Sequence, residues 1–154
     1  MMRSYSMTLA LCLAMAACAP SPGTTTTGDW PTAPALNPAD YALQDTATLG
    51  LSGAELLPEA AAALQAGLGS SEPVEGNYSE TLDAYSGDGR GAVVLTLNQL
   101  ADDSVRTMQH VVEFDLRPDP QVEGRVFAIP SGYGTRQRCY RATDPDAWTN
   151  QPCP

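Results

Sequence analysis

The chain has no lysine, a single histidine and only two phenylalanines among its 154 residues. Every basic residue is therefore an arginine, and the 8 of them face 18 acidic residues for a formal charge of −10. Nucleic-acid binding needs cations clustered against phosphates, so this balance argues against a nucleic-acid partner. Charged residues are 17% and aromatics 6%, both low. After residue 17 no apolar run is long enough to cross a bilayer. A Gly-x-Ser-x-Gly elbow, a Cys-x-x-Cys redox pair and an EF-hand pattern are all missing. No catalytic constellation stands out. What the chain does have is 13 glycines and 13 prolines, enough to expect a loop-rich segment.

The most informative stretch is the N-terminus. One cation, Arg3, precedes the apolar run Met7 to Ala17, and Cys18 follows. A helix over that run rises about 16 Å, too short for a hydrocarbon core of about 30 Å. It reads as an export signal over residues 1–17.

Met15-Ala16-Ala17-Cys18 resembles the lipobox of bacterial lipoproteins. The resemblance implies cleavage before Cys18, acylation of that cysteine, and attachment to the membrane through the N-terminal lipid. It places the protein in the cell envelope, on the periplasmic side of an outer membrane if the cell has two membranes. It covers about eighteen residues and speaks to processing alone. Ala14-Met15-Ala16 also fits an ordinary cleaved signal, which stays open. Cysteine parity favours the lipoprotein: removing the signal takes Cys12 away and leaves Cys18, Cys139 and Cys153. An exported chain with an odd cysteine needs a fate for it, and lipidation of Cys18 leaves the other two to pair.

Residues 18–40 hold five prolines and the run Thr24 to Thr27, with little to bury. They read as a tether between lipid and domain. The domain then spans 41–154, enough for one modest core. Ser52-Gly-Ala-Glu55 has capping-box spacing, and Pro58 demands a kink or fresh start there. Leu56, Ala60, Leu64 and Leu68 mark one helical face, so a helix is expected over about 53–67.

From Gly91 the apolar period becomes two. Val93, Leu95 and Leu97 share a face; so do Met108, His110, Val112, Phe114 and Leu116, with Thr107, Gln109, Glu113 and Asp115 opposite. This predicts half-buried antiparallel strands. Further strands are expected at 78–85, 125–129 and 135–141. The fold class is α+β: an N-terminal helix packed on a curved antiparallel meander of four to five strands, with a small β-barrel as the alternative. In arrangement this resembles cystatin-like and NTF2-like folds, and the ending resembles uncharacterised bacterial envelope proteins.

Cys139 and Cys153 are expected to form a disulfide that pins an otherwise irregular tail, including Trp148. His110 lies on the apolar face and reads first as a structural histidine. Arg136 and Arg138 share a strand face; they could grip an anionic ligand, though pairing with local acids is the simpler expectation. Asp83 to Gly91 reads as a glycine-rich hairpin sooner than a calcium loop. Zinc is implausible with one histidine and bonded cysteines, and no cofactor is expected. The resulting expectation is an envelope lipoprotein with a non-catalytic binding or scaffolding domain and an envelope protein as partner. The alternative is a small-ligand binder or hydrolase on the concave sheet face, built around His110 and the arginines.

Overall fold

The computed structural model describes residues 24–29, 33, 35–69 and 77–154. The signal segment, Cys18 and the first residues of the expected tether lie outside them. In chain order the elements are β1 (Thr24–Asp29), β2 (Ala42–Gln44), a short 3-10 helix (Thr46–Leu49), α1 (Leu57–Leu68), β3 (Ser79–Gly87), β4 (Arg90–Asn98), β5 (Val105–Pro118) and β6 (Val126–Cys139). The strands form one open sheet in the order β1-β3-β4-β5-β6-β2. Strands β3 to β6 are an antiparallel meander, β2 adds antiparallel to β6, and β1 adds parallel to β3. The architecture is α+β. It is not a barrel, because β1 and β2 are opposite edges of the sheet.

Helix α1 precedes the meander but follows β1 and β2, so it is not the first element of the described chain. It starts at Leu57, later than the capping-box spacing suggests. Glu55 does reach back to the Ser52 hydroxyl at 2.7 Å, but that contact closes a turn ahead of the helix. At the helix itself the Glu59 carboxylate accepts from the Leu56 backbone N–H at 2.9 Å. Pro58 falls in the first turn, where its missing N–H costs nothing. Ala60, Ala61 and Leu64 are buried against the sheet. They pack with Leu82, Val93, Leu95, Val112 and Phe114, and the small alanines let the helix approach closely.

The β3–β4 hairpin turns on Asp88 and Gly89, both at positive φ (52° and 73°). Gly87 pairs with Arg90, so this is a two-residue turn of the kind Asp-Gly favours. The stretch weighed as a calcium loop is thus a hairpin.

The two strands expected at 125–129 and 135–141 are one 14-residue strand. Pro130, Gly132 and Gly134 lie between the two expected segments. Pro130 sits opposite Phe114 and Gly132 opposite Glu113, which leaves Ser131 as the extra residue of a bulge. A bulge is one of the few places where a sheet accepts proline.

The second face of the sheet is also covered. Thr107 and Gln109 were expected to face solvent, yet they are 4% and 9% exposed. From β1 at one edge the chain reaches β2 at the other, and its described residues on the way pack as a strap. Ala33 and Tyr41 are buried, and the Leu36 N–H donates to Glu113 Oε1 at 3.0 Å. Tyr41 joins Val94 and Val111 in a second apolar cluster, flanked by Leu36 and Tyr85. Part of the expected tether is therefore folded: Thr24–Asp29 pairs with the outer edge of β3, and the packed domain begins before residue 41.

Candidate functional site

Strand parity separates the residues singled out from sequence. His110 lies opposite Thr135, and its Nδ1 is 2.9 Å from Tyr133 Oη, on the face that α1 covers. Arg136 lies opposite Gln109, on the strap face. A single site built from His110 and the arginines is therefore not what the structure brings together. The His110 and Tyr133 rings stack with centroids 6.1 Å apart. Burial pushes the imidazole below its ordinary value and the phenol above its own, so both are held neutral. No group of three or more His, Cys, Asp or Glu side chains that could hold a metal occurs among the described residues.

Arg136 and Arg138 do share a face, but neither forms an ion pair with a carboxylate among the described residues. Arg136 Nε donates to Gln109 Oε1 at 2.8 Å, and Gln109 Nε2 donates to Thr96 Oγ1 at 2.9 Å. The Arg136 guanidinium lies between two rings, 4.7 Å from Tyr41 and 4.5 Å from Trp148. Arg138 covers the same indole at 4.3 Å. Aromatic faces satisfy these cations where local acids were expected, because the strap and the tail bring Tyr41 and Trp148 over the strand. The nearest acid in the tail, Asp146, is taken by Arg106 at 2.5 Å. Buried Arg138 Nε has no hydrogen-bond partner among the described residues.

The tail is held in two ways. Cys139 and Cys153 are joined, with Cα atoms 5.5 Å apart, as the cysteine count predicts. Thr149 also exchanges two backbone hydrogen bonds of 2.8 Å with Gln137.

A further depression lies on the helix side of the sheet. A groove of about 590 Å³ opens between the outer flank of α1, strand β3 and the β5–β6 turn. Leu57, Pro58 and Ala61 form one wall, Leu82 and Ala84 the floor, and Leu116 and Val126 the far wall. Gln65, Ser86 and Arg125 bring the polar groups. The Arg125 guanidinium is stacked 4.8 Å over Phe127, and its Nε lies 3.8 Å from Asp119. The groove exists because α1 crosses the sheet obliquely. Its first turn lies beside Ala128, whose N–H donates to Glu55 O at 2.8 Å, and its last turn beside Glu80, which accepts from Gln65. That diagonal leaves the β3 corner uncovered. The only signal in sequence was the shortness and alanine content of the helix, too narrow to cover four strands.

No protein-family model, curated protein or solved structure matches the chain, so neither the cystatin-like nor the NTF2-like arrangement finds a counterpart.

Proposed function

We propose that this chain is a lipid-anchored protein of the bacterial cell envelope, held by acyl chains on Cys18, whose folded domain binds a ligand and catalyses nothing. Arg3, the apolar run that follows it and Met15-Ala16-Ala17-Cys18 support the anchor. The cysteine pairing adds to this: with Cys139 bonded to Cys153, Cys18 is the thiol left for lipid. Two or three acyl chains give stable attachment where one does not.

One observation carries the binding reading, the apolar groove beside α1. Its volume falls within the range of small-molecule sites, and apolar walls with a few polar groups are the usual composition of such sites. The occupant that fits is a single-chain amphiphile, its chain along Leu57, Leu82 and Leu116 and an anionic head at Arg125. His110 and Tyr133, on which a hydrolase would depend, do not line the groove.

Two substitutions test the reading. Cys18→Ser should move the protein from the membrane to the soluble fraction; an unchanged membrane fraction defeats the anchor. Ser86 is exposed and lines the groove, so Ser86→Trp should fill it without disturbing the core. Dodecanoate should displace an apolar fluorophore from the native domain, and the variant should bind neither while melting at the same temperature. Equal binding by both proteins removes the groove from consideration.

A further inference from the structure

The sheet has two distinct ends. Thr24, Ser79, Asn98, Thr107 and Cys139 lie at one; Asp29, the Asp88-Gly89 turn and the β5–β6 turn lie at the other. The groove is at the second end, with Ser86, Leu116 and Val126. The chain enters β1 at the first. Thr24 is six positions after Cys18, so a fully extended connection reaches only about 20 Å. Because β1 runs parallel to β3, a lipid on Cys18 is tied to the Cys139 end and the groove opens away from it.

Arginine is concentrated at that same end. Residues 24–154 contain seven arginines, and four of them, Arg106, Arg136, Arg138 and Arg141, lie at the start of β5 or at the end of β6 and just beyond. Only Arg106 is in a salt bridge; no carboxylate among the described residues is within 4.0 Å of the other three. Trp148 is half-buried between Arg136 and Arg138, and Tyr140, at the same end of the sheet, is 42% exposed. Indole and phenol rings near arginine match the chemistry of a lipid headgroup layer. The same end carries the exposed acids Asp102, Asp103, Asp144 and Asp146, of which Asp146 is held by Arg106, so the arginines locally balance a chain whose net charge is −10.

We infer that the Arg136–Trp148–Arg138 corner, with Arg141, is a membrane-contact surface that binds anionic phospholipid headgroups and holds the domain upright, groove outward. The inference rests on the Cys18 anchor proposed above. Its function would be presentation: a tether this short leaves the domain free to topple, and headgroup contact at one corner prevents the groove from being buried in lipid.

The test uses the lipidated protein in vesicles of phosphatidylethanolamine with or without phosphatidylglycerol. The chain has two tryptophans, so Trp30→Phe leaves Trp148 as the reporter. Lipids brominated near the headgroup should quench Trp148 in the phosphatidylglycerol vesicles. Raised salt should abolish the quenching, and Arg141→Gln, an exposed position that leaves the indole stack intact, should weaken it. The protein should float with the vesicles throughout. Flotation with an unquenched Trp148, or quenching indifferent to both salt and anionic lipid, overturns the contact surface and leaves the anchor standing. Failure to float overturns the anchor and the orientation with it.

Discussion

Breaking the disulfide by Cys153→Ser should weaken the fold without releasing the tail. The cysteines are 14 positions apart, and closing a loop of that length removes about 3 kcal/mol of unfolded-state entropy in the chain-entropy model. The global loss should not exceed that figure. Locally the tail keeps other ties. The two Thr149–Gln137 backbone bonds contribute about 0.5–1.5 kcal/mol each, and the two arginine contacts on Trp148 about 0.5–1 kcal/mol each. Together these offset the ordering of Trp148 and Thr149 at about 1–2 kcal/mol of backbone entropy per residue. Beyond them Asn150 Nδ2 donates to Pro38 O and Ala39 O, each at 3.2 Å, and Gln137 Nε2 donates to Gln151 O at 2.9 Å. The expected result is a lowered denaturant midpoint with an unchanged slope, together with retained hydrogen-exchange protection at Gln137 and Thr149. Only the last few amides should exchange freely. Loss of protection at Gln137 and Thr149 in the variant would show that the covalent bond alone holds the tail, and would refute the role given to the arginine–indole stack.

Gly134→Ala should destabilise by about 1–3 kcal/mol in a melt, because its Cβ would lie 2.7 Å from Leu36 Cδ2 and 3.1 Å from Tyr41 Cβ and would push the strap off the sheet. Gly67→Ala should have the opposite sign, stabilising by about 0.5–1 kcal/mol: the site is an exposed helical position with nothing within 4 Å, and alanine is the better helix former. His110 is a base depressed by burial, so the unfolded chain takes up a proton below about pH 6.5 before the folded one does, and stability falls on acidification from that point. His110→Gln should flatten this part of the pH–stability curve and cost about 1 kcal/mol at neutral pH from the lost Tyr133 contact. Ser52 and Gly53 hold the Glu55 carboxyl at about 2, below its ordinary 4.5, so the stability it contributes is complete above pH 4.5 and lost as pH falls towards 2. Glu55→Gln should remove that loss from an acid titration followed by circular dichroism.

Much of the scaffold was legible in the chain. Alternation from Val93 to Leu116 identified the central strands because the period of side-chain direction is a local property of backbone pleating. The spacing of Leu56, Ala60 and Leu64 identified the helix for the same reason, although it begins at Leu57 where a start near 53 was expected. Cysteine parity paired Cys139 with Cys153 without any geometry. The site was less legible. Parity does put His110 and Arg136 on opposite faces once one unbroken β6 is known, but Pro130 concealed that continuity.

What only the tertiary structure decided is how each face is covered. Periodicity says that Gln109 and Thr107 point away from Met108 and His110; it does not say whether water or protein waits there. The strap and the tail settle that from about 70 residues before and about 40 after, distances over which no local pattern carries information. The pairing of β1 with β3 is equally remote, since a run of threonines reads as polar linker until an open strand edge lies beside it. The apolar groove follows from the angle at which a short helix crosses four strands, and that angle is set by side-chain packing between elements distant in sequence.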